Sequence, residues 1–391
     1  MKETKKYFSL LAMAAMTAFS LTSCDEEEGG GFVLLPVETS EGVFVLNSGH
    51  VSGGIASTLT YYDYATGSTT QSVYQAANGV SLGGTINHAV VYGSKIYIVG
   101  TDERTVFVAD RKTLKKIANV PIMVNGEAAT PREVVTCCTN GHPWDGYVYV
   151  STYNNAVVAI DTLTNTIAKT FASGNYSEGM VIYKQYLYVA DSNYGSGFTD
   201  NSSPSISQID LTTGKTTTFT HESIKNPADV KIARGRMFIL DSGLYDESWN
   251  QVGACVYELA DGAVKKIADA TDMAVMGYNV YMVNAPFTTP STTPSYWVYD
   301  TRTNKLETFC DGSDIEYPAK ISADLFTGDF FAGRVFITSY HIGSSGYPDY
   351  TGPGYCVVYD ENSKKQGQFD CGVGAGRVIP NTGVGYTEVP L

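Results

Sequence analysis

The sequence predicts an all-β fold, a seven-bladed β-propeller of four-stranded antiparallel blades, and three observations predict it. Composition comes first: 28 Tyr and 39 Gly, with only 17% charged residues in 391, favour strands and turns over helices. Second, a short strand centred on an aromatic or flanked by β-branched residues occurs seven times, around Phe44, Tyr97, Tyr149, Tyr188, Phe238, Tyr281 and Phe336. These residues lie 39 to 55 apart, the length of a four-strand unit with variable loops. Third, a following strand ends at Asp63, Asp110, Asp161, Asp210, Asp300 or Asp360, with Leu259 the exception. Turns such as Ala65-Thr66-Gly67, Leu163-Thr164-Asn165 and Thr212-Thr213-Gly214 come next, where Gly or Asn takes positive φ.

These two strands are B and C of a blade, and a third strand after the turn is D. Strand A is expected at 88–92, 132–137, 179–183, 228–232, 273–276 and 319–323. The first blade has none of its own, because the domain opens near Gly42 directly with strand B. Residues 376–380 form a strand with no blade to follow, so the C-terminal strand is expected to close the ring and protect its edges. Strands apolar on both sides fit sheets sandwiched between neighbours. The propeller is assigned to 42–391.

The N-terminus carries an address. Lys2, Lys5 and Lys6 precede an apolar run at 7–21 of signal-peptide length, ending at Leu21-Thr22-Ser23-Cys24. That run resembles a bacterial lipobox, so 1–23 is expected to be removed and Cys24 lipidated. Residues 24–41 are expected to form an acidic and glycine-rich tether, since Asp25, Glu26, Glu27 and Glu28 precede Gly29 to Gly31. Without 1–23 the chain has 23 basic against 39 acidic residues, a surface that repels phosphate backbones and excludes a nucleic-acid role. The remaining six cysteines follow no staple or zinc spacing.

Strand order puts AB and CD turns on one rim and BC and DA loops on the other. The BC loops at 47–57, 191–204, 241–253, 284–294 and 339–354 carry the variety, rich in Tyr, Trp, Asn and Ser. Such loops suit recognition, because rigid aromatics bury area at little entropy cost. Candidate contacts are Tyr194, Tyr245, Trp249, Tyr340 and Tyr347 for flat area, with Asn250 and Asn284 for hydrogen bonding. The A strands add an inward ring of Arg132, Glu133, Glu178, Asp229, Asp272, Lys320 and Arg377, of which Arg132 and Arg377 are the best candidates because a guanidinium both forks and stacks. Water-filled ion pairs are the structural alternative for that ring. A calcium site at Glu178, Asp229 and Asp272 is a minor alternative. No nucleophile elbow, phosphate loop or zinc-protease motif occurs, so no enzyme, cofactor or protein-bound metal is expected. His50 and His341 lie in BC loops and could touch a ligand.

The seven repeats resemble the YncE-like propellers. Together with the lipobox, the acidic patch and Asn47-Ser48-Gly49 after the first strand, they make 42–380 similar to the BtuG group of Bacteroidota surface lipoproteins. That resemblance implies an outer-membrane protein, lipid-anchored and facing the cell exterior, that captures cobalamin or another corrinoid carrying its own cobalt. It also implies transfer to a TonB-dependent, BtuB-like transporter. A corrinoid is a large amphipathic disc fringed with amides and bearing one phosphate, for which the aromatics would supply contact area and Arg132, Arg377, Asn250 and Asn284 would meet amides and phosphate. Glycan binding and a protein-interaction scaffold are the alternatives.

Overall fold

The structure is a computed structural model that describes residues 32–137, 144–192, 204–325 and 333–390. Its strands form seven four-stranded antiparallel sheets and two small hairpins. Blade 2 shows the plan: A is Ile86–Tyr92, B is Lys95–Gly100, C is Thr105–Asp110 and D is Lys116–Pro121. Blades 3 to 7 repeat it, with A strands Pro131–Thr136, Ser177–Tyr183, Pro227–Ala233, Asp272–Met276 and Tyr317–Asp324. Blade 1 is assembled from both ends of the chain, in the order Thr69–Thr70, Thr58–Asp63, Phe32–Asn47 and Ala375–Pro390. The C-terminal strand thus supplies strand A and closes the ring.

The repeated aromatic explains itself in packing. Phe44, Tyr97, Tyr149, Phe238, Tyr281 and Phe336 are buried, each in a cluster shared with the next blade. Phe336 packs with Val43, Val45 and Phe369, so the closing interface is as apolar as the others. Burying each ring contributes about 2–3 kcal/mol, repeated around the circle. Tyr188 is half-buried, packs against the core cluster of blades 4 and 5, and lines a cleft of about 320 Å³ between them.

The Asp that ends strand C also has a local cause. Asp161 Oδ1 accepts the backbone N–H of Leu163 at 2.8 Å and of Thr164 at 3.0 Å, while Asn165 N–H closes on the Asp161 carbonyl at 2.8 Å with φ +54°. Asp63, Asp110, Asp210, Asp300 and Asp360 make the same kind of turn. Blade 5 lacks the Asp because Asp261 and Gly262, both at positive φ, make a two-residue hairpin that needs no cap.

The pairing of the chain ends starts earlier than Gly42. Residues 32–40 pair antiparallel with 382–390, after a register shift between Ser40 and Val43. Strand B runs from the AB/CD rim to the BC rim, so this ribbon leaves the propeller on the side away from the BC loops, extending about 30 Å at strand rise. The shift breaks the two-residue alternation, and the partner strand lies over 300 residues away, so local pattern reads the segment as tether. At its base Ser40 Oγ donates to Asp324 at 3.1 Å, Tyr64 donates to the same carboxylate at 2.8 Å, and Arg111 Nη1 donates to Asn381 Oδ1 at 3.0 Å. No described helix is long and apolar enough to cross a membrane.

Candidate functional site

The A strands present their third residue to the axis in four blades: His88, Glu133, Asp229 and Arg377. Arg377, on the closing strand, reaches across the ring. Its Nη2 lies 3.7 Å from Glu133, 3.4 Å from Asp229 and 3.6 Å from Asp272, carboxylates from three other blades. Lys231 Nζ adds a 2.8 Å contact to Asp229, and Lys320 Nζ lies 3.5 Å from Asp272. Arg132 Nε pairs with Glu178 at 3.0 Å, and the other Glu178 oxygen accepts the Tyr153 hydroxyl. In blade 4 the third position is Gly179, where a Cβ would sit 2.2 Å from Asp229 Oδ1. Glycine makes the room that this carboxylate occupies.

Electrostatics close the account. Burial lowers the His88 imidazole to about 4 despite Glu133 beside it, so it is neutral near pH 7. Burial alone would raise Glu133, but His88, Arg377, Lys231 and Lys320 outweigh it and hold the carboxyl at about 2. Four cations, Arg132, Lys231, Lys320 and Arg377, then face four carboxylates, Glu133, Glu178, Asp229 and Asp272. The side chain of Arg377 is only 12% exposed and that of Asp229 0%. Arg132 and Arg377 stand on the axis, and their guanidinium groups pair with the protein's own carboxylates, the alternative the sequence left open for this ring. Glu178, Asp229 and Asp272 do not converge on a cation pocket either, because Arg377 stands between the two aspartates and Arg132 takes Glu178.

The BC rim is different. Four aromatic side chains are exposed among the described residues: Trp249 at 63%, Tyr347 at 52%, Phe287 at 47% and Tyr350 at 39%. All four lie on BC loops of blades 5, 6 and 7. These loops brace one another: Gln251 N–H donates to the Phe287 carbonyl at 2.7 Å, and Thr289 N–H to Asn250 Oδ1 at 2.8 Å. Tyr245 stands 6.2 Å from Trp249, and Tyr340 stands edge-on to Tyr350 at 5.0 Å. Tyr317 stands 6.5 Å from Tyr340, and burial, with Tyr350, Tyr340 and Tyr245 close by, pushes its hydroxyl up to about 12.

The predicted contacts fare unequally. Trp249 and Tyr347 are exposed on this face, with Tyr245 and Tyr340 half-buried behind them. Asn250 is taken up locally, its amide donating to Asp246 at 3.1 Å and accepting from Thr289. Asn284 ends strand B of blade 6, half-buried, and its side chain makes no hydrogen bond among the described residues. Tyr194, Cys138 and Cys24 lie outside the described residues. His341 is held by Glu316 at 2.7 Å and stacks near Tyr355, so it braces its loop. Cys255, Cys310, Cys356 and Cys371 are free thiols. Two axial residues escaped the sequence reading, His88 and Lys231. Lys231 follows Asp229 by two, the spacing that puts both on one face of a strand, and that signal was available.

Residues 41–134, from the propeller part of strand B in blade 1 into strand A of blade 3, match a family described as a domain of unknown function (DUF5074). No curated protein matches. Among solved structures the chain is similar to Kuenenia stuttgartiensis hydrazine synthase, at 14% identity and TM-score 0.44, over 64% of this chain and 88% of that one. It is also similar to the WD40 domain of Neurospora crassa Pan2, at 10% identity and TM-score 0.48, over 75% of this chain and 80% of that one. Those likenesses concern fold alone, and it is the seven sheets and the closing strand described above that make the chain a seven-bladed β-propeller.

Proposed function

We propose that the chain is a non-catalytic capture protein that binds a large, flat, amphipathic ligand on the BC rim of blades 5 to 7, and that this ligand is cobalamin or a related corrinoid. The observation that carries the reading is the gathering of every exposed aromatic among the described residues onto three adjacent loops of one rim. Exposed rings held by interloop hydrogen bonds lose little freedom on binding, so contact area converts into affinity efficiently. With the axis filled by ion pairs, the disc would lie across the rim, not in the channel. Phe287 and Tyr350 join Trp249 and Tyr347 as its contacts, Asn284 supplies an amide, and Lys320, whose side chain is 40% exposed, would meet a phosphate.

In this proposal Cys24 is lipidated, and the ribbon at 32–40 and 382–390 lies between anchor and propeller. Because the ribbon leaves the opposite rim, the aromatic face would point away from the membrane, toward incoming ligand. Delivery to a TonB-dependent transporter then requires the propeller to tip or the partner to reach over the rim. Calorimetry with cyanocobalamin tests the reading. Saturable binding that Trp249→Ala or Tyr347→Ala weakens tenfold or more is expected, as for an aromatic anchor. No heat at micromolar ligand would sink the corrinoid, and binding indifferent to both substitutions would sink the site.

A further inference from the structure

We infer that the same rim carries a second, separate site for a neutral saccharide, in the recess between blades 2, 3 and 4. The recess has a volume of about 480 Å³, within the range of small-molecule sites. Three segments wall it: the hairpin Met123–Val124 with Glu127–Ala128, the BC loop of blade 3, and the loop from blade 3 to blade 4. Backbone hydrogen bonds lock them. Tyr153 N–H donates to the Thr130 carbonyl at 3.0 Å, Ser173 N–H to Asn155 at 3.1 Å, and Asn154 Oδ1 accepts Thr130 N–H at 2.9 Å.

The lining has the chemistry of sugar recognition. Asn125, Asn155 and Asn175 make no side-chain hydrogen bond among the described residues, and each amide offers both donors and an acceptor. Sugar hydroxyls likewise do both, and a pair of adjacent hydroxyls can share the Glu127 carboxylate. Tyr153 and Tyr176 stand edge to face at 5.4 Å and 73°, a preformed apolar wall for the C–H face of a pyranose. Tyr153 is fixed from behind, with Arg132 4.7 Å over its ring and Glu178 on its hydroxyl. Asn125, Asn155 and Tyr176 all adopt positive φ, at +52°, +58° and +51°, a conformation that Tyr rarely adopts. No Lys or Arg lines the recess and Glu127 does, so an acidic sugar is disfavoured.

The test is ligand-observed NMR on the full chain with glucose, galactose, mannose and N-acetylglucosamine, against glucuronate and N-acetylneuraminate. At least one neutral sugar should bind with Kd on the order of 1 mM, as expected for so small a ligand. Asn175→Ala, and Asn155→Gly, which keeps the positive φ, should each weaken it fivefold or more. Trp249→Ala should leave it unchanged, which separates this site from the aromatic one. Absence of saturable binding by every neutral sugar, preference for an acidic one, or binding that survives both asparagine substitutions overturns the inference.

Discussion

Replacing Arg377 with methionine should destabilise the propeller in a way that depends on pH. The side chain keeps much of its volume, but the axial cluster passes from balanced charge to a net −1. Asp229 retains Lys231 and Asp272 retains Lys320, whereas Glu133 is left with an imidazole that is neutral near pH 7. Breaking a buried ion pair from one side costs about 3–5 kcal/mol. Unfolding entropy of about 2.1 cal/mol/K per residue, over ~350 residues, makes each kcal/mol worth about 1.4 °C, so Tm should fall by about 4–7 °C. The pH sign follows from Glu133. Its folded value, about 2, lies below the ordinary 4.5, so the stability it contributes is present above 4.5 and drains away as pH falls toward 2. The variant lacks the part of that contribution that Arg377 supplies. The gap between the two proteins is therefore widest near pH 7 and narrows below about 4.5. Thermal melts followed by circular dichroism at pH 7.5 and pH 4 measure it. A Tm within 1 °C of the parent at pH 7.5, or a gap as wide at pH 4, would refute a charge-based role for Arg377.

Other outcomes follow from the same geometry. Asp191 is buried among Ser177, Ser205 and Ser207, and burial lifts its carboxyl to about 6 from 3.8 against their hydrogen bonds. Such a raised group contributes stability below 3.8 that is lost as pH climbs through 6, by up to about 3 kcal/mol. The Tm of Asp191→Asn should accordingly gain on the parent between pH 4 and pH 8, and a constant difference would contradict it. Trp249→Ala should change stability by no more than about 0.5 kcal/mol, as for an exposed position, while abolishing most rim binding. Ser363, at φ +68° in the last CD turn, stands where blades 1, 3, 4 and 6 use Gly or Asn, so Ser363→Gly should raise stability by up to about 1 kcal/mol in a melt. Leu114 occupies the equivalent place at φ +55° but is buried, so Leu114→Gly should lower stability by about 2 kcal/mol or more, the lost packing outweighing the relieved backbone.

Much of the fold was legible because its signals are local. The aromatic of strand B and the Asp of strand C each do a job within their own blade or the next one, and each recurs with the unit. The ribbon was not legible, since its register is set by a strand at the far end of the chain and a bulge breaks its alternation. The axial residues were legible in place but not in role. Strand phase puts Arg377 in one inward ring with Glu133, Asp229 and Asp272; what it leaves open is whether a ligand or these carboxylates engage the guanidinium. Asn250 is the opposite case, because Asp246 four residues earlier already offered the turn that takes its amide. The recess of blades 2 to 4 was missed because Asn125-Gly126 alone reads as a turn, and only the assembled ring brings it beside Asn155 and Tyr176.

Filling the axis with charge has a consequence for where binding can happen. An apolar axis would tolerate sliding of the A strands, whereas a guanidinium on the last strand that must meet carboxylates from blades 3, 5 and 6 is satisfied only when the ring has closed with every blade in register. A misplaced closing strand would leave Glu133, which is buried, beside only the neutral His88, which is costly enough to disfavour it. The same ion pairs occupy the axis, so a ligand entering there would have to displace them. In the proposed function recognition is left to the loops, and those of blades 5 to 7, which carry the exposed rings and no Lys or Arg, would select for flat area before charge.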